Sequence, residues 1–378
     1  MSREDPGARA PDGAGSDIPG MVARLLRESL DAGASDLHLE PVPGGMRVRS
    51  RVDGVFREGE RIPGELAEGL ANRIKVMAGL AVHRNDIPQE GRILFDTDSG
   101  GRSRELRVSV MPVVHGEKVV VRFFEADGRL RPLDDLGFDE GVAGGLRSIL
   151  GARDGLYLVS GPSGSGKTTT IYALLGALVE RRGERLNVAS LEDPVERLIA
   201  GVNQTQVRPD RGLDYAAGVR ALLRQDPEVI AVSEIRDRET AEAVLTASFT
   251  GHLVISSLHC ARAAEAVRRL ADFGLSLPLI ASSLRGVLAQ RLVRVACRAC
   301  LGSGCEACGR TGFRGRTAFG EYLPCGEGAV RAAIVETSDP RRIGAAGKEA
   351  GMREIGEAGR KLVDDGITTG EELDATLG

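Results

Sequence analysis

Residues 156–174 read LYLVSGPSGSGKTTTIYAL, and this stretch decides how the second half of the chain is interpreted. The run LYLVS is short and apolar, as in a buried strand, and the residues after the glycine-rich turn predict a helix. Between them, 161–168 matches G-x-x-x-x-G-K-[ST], for which chance gives roughly 0.01 matches in such a chain. Strand, glycine-rich turn and helix in this order predict a phosphate-binding loop (P-loop) rather than an ordinary turn.

The residue types of this loop define its chemistry. Glycines let backbone N–H groups point inward around phosphates, and the N-terminus of the next helix adds its positive dipole end. Lys167 can neutralise the β- and γ-phosphates, and the Thr168 hydroxyl can bind Mg²⁺. The residues predicted to bind the nucleotide are Gly161, Pro162, Ser163, Gly164, Ser165, Gly166, Lys167, Thr168 and Thr169.

Further apolar runs follow at 186–191, 228–233 and 252–258, separated by helical segments. Short apolar strands that alternate with helices indicate a parallel sheet covered on both faces, so we predict an α/β fold. Two of these strands end in acids, Glu192 and Glu234, which could hold Mg²⁺ and activate water. The alternative is that both are solvated acids at strand ends.

Histidine is rare in this chain, with five in 378 residues, yet His252 and His259 flank one apolar strand. A histidine at a strand end is usually structural. Two around a single strand shift the interpretation modestly toward a phosphate sensor.

The first block has a different pattern from the second. A helix is predicted near 18–32 and another over 66–79, and between and after them apolar and polar residues alternate as in half-buried antiparallel strands. We predict a disordered tail over 1–17, a smaller α+β domain over 18–127 and a linker over 128–137. The α/β domain then covers 138–378 and ends in small helices.

Charge and hydropathy exclude several classes of protein. The chain carries 50 basic and 54 acidic residues, a net charge of −4, which argues against a generally basic DNA-coating protein. No apolar run approaches the ~18 residues that span a bilayer, and the first residues have no secretory h-region. These features predict a cytoplasmic protein with no transmembrane segment and no nucleic-acid partner.

Four of the six cysteines form the pattern C-x2-C-x4-C-x2-C over 297–308. Two CxxC pairs can place four thiolates tetrahedrally around Zn²⁺ at about 2.3 Å. The alternatives are two disulfides, which the reducing interior of a cell disfavours, or four free thiols. The predicted zinc ligands are Cys297, Cys300, Cys305 and Cys308.

Taken together, these motifs resemble the GspE/PilB-type secretion ATPases, which drive type II secretion and type IV pilus assembly. GPSGSGKTTTIY, SLEDPVE, EVIAVSEIRD and TGHLVISSLH match the family's Walker A, Asp box, Walker B and His box in order. The likeness extends over about 35–323 and includes SDLHLEP, RSRVDGVF and QEGRI of the first block. It implies a RecA-like P-loop ATPase domain with a mostly parallel sheet, preceded by a smaller α+β domain.

The resemblance also implies roles for the site residues. Lys167 and Thr168 bind ATP–Mg²⁺, Glu234 supports Mg²⁺ and Glu192 is the general base. The sequence alone leaves open which glutamate takes the proton. The family's roles for His252 and His259 couple contact with the γ-phosphate to domain motion.

Arginines of the family's first domain complete the site in a ring. Arg107 and Arg122 match those positions, and Arg92 is a weaker candidate. An arginine supplied across a moving boundary links hydrolysis to rotation of domains. For any single arginine among so many, the alternative is a solvated surface charge.

The chain departs from the family pattern at several points. Ser233 stands where the family usually has Gly, and Cys260 stands where Thr usually follows the His-box histidine. The two CxxC pairs are closer together than in the family. Only about 17 loose residues precede Ile18, so we expect no extra N-terminal docking module.

The resemblance implies a homohexameric, Mg²⁺-dependent ATPase that powers type II secretion (a pseudopilus) or type IV pilus assembly. Its implied partner is an inner-membrane platform protein, which implies a peripheral location at the inner face of the cell membrane. The rival interpretations are a pilus-retraction motor, a DNA-uptake translocase and a non-hydrolysing nucleotide-binding scaffold. The cysteine cluster favours assembly over retraction.

Overall fold

The computed structural model describes residues 17–96, 103–123, 130–183 and 186–378. The chain divides into two compact units, a first unit of residues 1–127 and a second unit of residues 128–378. The tail predicted over 1–17 lies outside the described residues except for Asp17, which caps the first helix by accepting from the Gly20 N–H. Among the described residues, no helix is both long and apolar enough to cross a membrane.

The first unit pairs helices with one antiparallel sheet. Its described elements are α1 (Ile18–Asp31), β1 (Ala34–Val42), β2 (Gly45–Val52), β3 (Val55–Pro63), α2 (Gly64–Met77), β4 (Gln89–Asp96), β5 (Ser103–Val113) and β6 (Gly116–Phe123). The strand order is β3-β2-β1-β6-β5-β4. This matches the predicted α+β architecture.

The alternation of apolar and polar residues along each strand decides which face of this sheet the helices cover. Leu37 and Leu39 of β1, with Val119 and Val121 of β6, are buried against α1 and α2. The intervening residues of the same strands, such as His38, point to the other face and are mostly polar. One face of the sheet therefore forms the core of the first unit, and the opposite face carries charge.

The second unit begins with a 3₁₀ turn over Leu133–Leu136 and continues as an alternation of helices and strands. Its first elements are α3 (Glu140–Ile149), β7 (Gly155–Ser160), α4 (Lys167–Arg182), β8 (Val188–Glu192), β9 (Val202–Gln206), α5 (Tyr215–Leu222), β10 (Val229–Val232), α6 (Arg238–Phe249) and β11 (Leu253–Leu258). The remainder are α7 (Glu265–Asp272), α8 (Leu277–Ser283), β12 (Leu284–Ala296), β13 (Phe313–Pro324), α9 (Gly328–Glu336), α10 (Pro340–Glu349), α11 (Ile355–Asp364) and α12 (Gly370–Leu377).

The sheet of the second unit confirms the predicted α/β fold. Its order is β13-β12-β7-β11-β10-β8-β9, and every neighbouring pair is parallel except β12 and β13. Every residue of β7, β8, β10 and β11 is buried, because apolar layers cover both faces. These strands all end at one edge of the sheet, which we call the carboxyl edge.

The structure differs from the sequence interpretation in two places. Leu133 and Leu136, within the predicted linker 128–137, are buried in the core of the second unit, because two leucines three residues apart share one side of a turn. The second difference is the long hairpin of β12 and β13, in which polar residues mask the strand pattern. The cysteine segment lies between these two strands.

Candidate functional site

The P-loop lies at the carboxyl edge, between the end of β7 and the start of α4. Gly166, the residue before the helix, has φ +87°, a left-handed conformation that favours glycine. At Gly161 a Cβ atom would lie 2.5 Å from the carbonyl oxygen of Gln290. Both glycines are therefore required by the path of the loop, as the motif predicted.

Lys167 lies across the mouth of this loop. Its ammonium donates to the carbonyl oxygens of Gly161 at 2.9 Å and Pro162 at 3.0 Å. Burial lowers the pKa of Lys167, and the Glu234 carboxylate acts in the opposite direction. The cation is thus held by its own loop at the place where a bound phosphate would accept from it.

Gln290 of β12 holds the loop from behind. It is fully buried, its amide nitrogen donates to the Ser165 carbonyl at 2.6 Å, and its amide oxygen accepts from the Thr170 hydroxyl at 2.9 Å. Gln290 was not predicted from the sequence, because no local spacing relates position 290 to the P-loop.

Glu192 ends β8 and is 4% exposed. Its Oε1 accepts from the Ser190 hydroxyl at 2.5 Å and from the Gln204 amide at 2.9 Å. Its Oε2 accepts from the hydroxyl of Tyr172 on α4. These donors compensate the burial of the carboxylate. The sequence predicted Glu192 but not the three donors around it.

Glu234 follows β10 and occupies a more open environment. Its Oε2 lies 3.1 Å from His259 Nε2, and its Oε1 accepts from the guanidinium of Arg236. Arg236 also lies 3.6 Å from Asp193 Oδ2, so it links the ends of β8 and β10. Among the described residues, this is the one ion pair that joins those two strand ends.

The two histidines of the predicted pair lie at opposite ends of β11. His259 follows the strand, at the carboxyl edge. His252 precedes it, and its carbonyl accepts from the N–H of Gly155, where β7 begins. A strand of this length spans about 20 Å. The structure therefore brings His259 to the P-loop edge and leaves His252 at the other edge.

The two unusual residues, Ser233 and Cys260, both make supporting contacts. The Ser233 hydroxyl donates to the Leu191 carbonyl at 3.1 Å. The backbone N–H of Cys260 donates to the Ser160 hydroxyl at 3.0 Å, and burial raises the pKa of its thiol. Both residues tie strand ends of the carboxyl edge to one another, and neither replaces a charged group.

In the first unit, the predicted arginines form a cross-strand row. Arg92 is opposite Arg107 across β4 and β5, and Arg107 is opposite Arg122 across β5 and β6. Directly opposed residues point to the same face of a sheet, here the face that the helices leave uncovered. Their acidic contacts are Arg92–Glu105 at 2.8 Å, Arg107–Glu90 at 2.7 Å and Arg122–Asp36 at 2.9 Å.

The four cysteines converge at the tip of the β12–β13 hairpin. Their sulfurs lie within 4.8 Å of one another, and the Cys297–Cys305 pair is 3.9 Å apart. Sulfurs about 3.8 Å apart match a tetrahedron around Zn²⁺ with bonds near 2.3 Å. Backbone N–H groups of Gly304 and Gly312 donate to Cys300 and Cys308, as expected around thiolate ligands. The residues fit one zinc ion.

Comparison with known proteins gives a consistent result. The profile of the family described as "Type II/IV secretion system protein" matches residues 14–375. The chain is 40% identical to the type II secretion system protein HxcR of Pseudomonas aeruginosa, over 95% of this chain and 77% of that protein. It is 37% identical to the type IV pilus assembly ATPase PilB of Thermus thermophilus, over 93% of this chain and 42% of that protein.

Solved structures agree on the fold. The ATPase DotB of Legionella pneumophila superposes with a TM-score of 0.77 at 22% identity, over 97% of both chains. The pilus retraction motor PilT with bound ADP superposes with a TM-score of 0.63 at 25% identity, over 93% of this chain and 95% of that chain.

Proposed function

Since this chain belongs to the type II/IV secretion system protein family and is an ATPase, we propose that its Mg²⁺-dependent hydrolysis powers type II secretion or type IV pilus assembly. We further propose that the active form is a homohexamer. The observation that carries the proposal is the convergence of the P-loop, Glu192, Glu234 and His259 at the carboxyl edge. The curated relatives named for type II secretion and pilus assembly support the biological role.

Each residue at this edge has a proposed task. The P-loop N–H groups and Lys167 bind the phosphates of ATP, and the Thr168 hydroxyl and Glu234 hold Mg²⁺. The metal, when bound, neutralises charge on the β- and γ-phosphates. Glu192 accepts a proton from the attacking water, and His259 couples the nucleotide to Glu234, which it contacts at 3.1 Å.

The arginines of the first unit are proposed to complete the site of a neighbouring subunit. Their adjacency supports this role, because Arg107 and Arg122 present two cations side by side on one uncovered face. Such cations stabilise charge that develops on the transferred phosphoryl group. Arg92 extends the same row by one strand.

The partners follow from the family. We propose that the chain works at the cytoplasmic face of the inner membrane with a platform protein, and that one structural Zn²⁺ stabilises the four-cysteine lobe. Retraction is the second candidate function, because PilT shares the fold over most of both chains. The cysteine cluster favours assembly, and metal analysis of the purified protein tests it, with one zinc per subunit expected.

The test of the ATPase proposal is turnover per subunit measured as protein concentration rises, with and without EDTA. We expect a cooperative rise that follows hexamer formation in light scattering, and loss of turnover when Mg²⁺ is removed. Glu234→Gln should lose activity and keep ATP binding. Tight ATP binding without turnover at every concentration would contradict the proposal and favour a nucleotide-binding scaffold.

A further inference from the structure

The carboxylate of Glu192 lies in an environment rich in hydrogen-bond donors. Among the described residues, Tyr172, Ser190 and Gln204 all donate to this carboxylate. Ser190 is 1% exposed and Tyr172 is 7% exposed. The carboxylate is therefore fixed by groups that are themselves fixed by packing.

Tyr172 connects this carboxylate to the P-loop. It lies on α4 four residues after Thr168, so the two side chains share one face of the helix. Its hydroxyl also accepts from the backbone N–H of Glu196 at 3.2 Å, beyond the end of β8. Burial and the bond to Glu192 both raise the pKa of Tyr172, so its hydroxyl remains a donor. The Tyr172 hydroxyl therefore joins α4 to Glu192 and to the segment after β8.

The number of donors shows which acceptor position of the Glu192 carboxylate remains free. An ionised carboxylate offers about four lone-pair positions, two on each oxygen. Oε1 accepts from Ser190 and Gln204, and Oε2 accepts from Tyr172. Among the described donors, this leaves one position, on Oε2.

A cavity lies beside Glu192. Its volume is about 30 Å³, enough for a water molecule. Its polar lining residues are Thr168, Tyr172, Ser190, Glu192 and Ser233, and its apolar lining residues are Ile171, Leu175 and Ala231. The Mg²⁺-binding hydroxyl proposed above and the proposed base thus border the same small cavity.

We propose that Tyr172 is a positioning residue that orients Glu192 so that the free position on Oε2 faces water in this cavity. The inference rests on the proposed role of Glu192 as general base. Without the hydroxyl, the carboxylate can rotate about its last side-chain bond, since this torsion has a broad energy minimum. The water would then be misaligned although ATP still binds.

The direct test is Tyr172→Phe in the full chain. We expect kcat to fall about tenfold, the KM for ATP to stay within about twofold, and ADP affinity to be unchanged, because only orientation is lost. Tyr157→Phe is the matched control, since Tyr157 is another buried tyrosine, whose hydroxyl lies near Asp154 and Arg285. Its kcat should match the parent. Parent-like kcat in Tyr172→Phe, or a change in KM alone, would overturn the proposal.

A second comparison separates positioning from a general packing effect. Glu192→Gln should lower turnover about a hundredfold, measured as radiolabelled phosphate release. Adding Tyr172→Phe to Glu192→Gln should cost nothing further, because the hydroxyl then has no base to orient. A further tenfold loss in the double variant would assign Tyr172 a role independent of Glu192.

The same variants distinguish a wrong role for Glu192 as the base from a wrong role for Tyr172 as its positioning residue. If Glu192→Gln turns over like the parent, the proposed base is wrong and the inference fails with it. If Glu192→Gln is inactive while Tyr172→Phe turns over like the parent, only the inference fails. Should Tyr172→Phe not fold, Ser190→Ala tests the other oxygen, and it should lower kcat severalfold with KM retained. Full activity in Ser190→Ala would then count against positioning of Glu192.

Discussion

The two sheets of this protein carry their charged side chains in different places. In the second unit, β7, β8, β10 and β11 are buried on both faces, so polar groups are confined to the strand ends. In the first unit, helices cover one face only, and charge runs across the strands on the other face. A sheet covered twice concentrates chemistry at an edge, and a sheet covered once spreads it as a surface.

The two regions also differ in how firmly they hold their charged side chains. At the carboxyl edge, Glu192 is held by buried donors, which suits a group that must align with one water. In the arginine row, Arg122 and Arg92 have side chains more than 60% exposed, which suits groups that meet a moving partner. The differences in burial give each region a different expected response to mutation.

The largest effect is expected at the edge. Lys167→Ala removes the cation that the P-loop holds against the phosphates, so turnover should fall at least a thousandfold and ATP affinity should drop. Stability should change little, because the ammonium contacts only carbonyl oxygens of its own loop among the described residues. Phosphate release and thermal unfolding measure both quantities. Turnover near the parent value would contradict the assignment of the ATPase site to the carboxyl edge.

The second largest effect is a loss of stability in the first unit, whose core contains a buried ion pair. Lys75 of α2 is fully buried and donates to Glu117 at 2.7 Å and to the Arg84 carbonyl at 2.8 Å. Lys75→Ala leaves Glu117 without its cation, so the free energy of unfolding in urea should fall by about 3–5 kcal/mol. The paired Lys75→Met, Glu117→Leu variant should recover most of it. An unchanged free energy of unfolding for Lys75→Ala would show that water solvates Glu117 when its cation is removed.

The arginine row tests the surface side of the comparison. Arg107→Ala and Arg122→Ala should each lower kcat about a hundredfold. Arg107→Ala should do so without destabilising the fold, because both members of its ion pair with Glu90 are partly exposed. Arg61→Ala is the control, since Arg61 is exposed on β3 at the far end of the same sheet. Equal activity of all three variants would mean that the row has no catalytic part.

A smaller difference is expected between the two ends of β11. His259→Ala should lower turnover about tenfold, since His259 contacts Glu234 at the carboxyl edge. His252→Ala should stay within about twofold, because His252 contacts the Ala247 carbonyl at the opposite edge. Steady-state kinetics of both variants decides this. A larger loss at His252 would show that the amino edge also takes part in the reaction.

The smallest effect is a pH dependence on the charged face. Burial acts to raise the pKa of Glu40, but hydrogen bonds from Arg49, Arg47 and Lys118 outweigh it and lower this pKa from 4.5 to about 2. A lowered pKa stabilises the folded state above pH 4.5, and this stabilisation is lost as pH falls toward 2. In urea titrations, the parent should exceed Glu40→Gln in stability at pH 6, and the gap should close below pH 4.5. A constant gap would contradict the assignment.

Many elements of both units were predictable because their signals are local. Apolar runs predicted β7, β8, β10 and β11, and period-two alternation predicted the strands of the first unit. The hairpin of β12 and β13 was not predicted as strands. Its Arg and Gln residues interrupt the pattern, and the pairing of distant segments stabilises it.

The candidate site was predictable only in part. The motif identified Lys167 and Thr168, and strand ends identified Glu192 and Glu234, because parallel strands finish at one edge. Gln290 and Gln204 reach the site from other strands, so no spacing in the sequence could associate them with it. Tyr172 was accessible in principle, since it lies one helical turn after Thr168.

The sequence by itself determined the P-loop, the alternation of strands and helices and the four-cysteine cluster, since each depends on residues close together in the chain. Only the tertiary structure decided that Gln290 and Gln204 reach the site from other strands, and that Glu192 is enclosed by donors while Glu234 is more exposed. Strand order and direction set those neighbours. The order and direction of the strands are fixed by packing of apolar faces over long sequence separations, which local patterns do not encode.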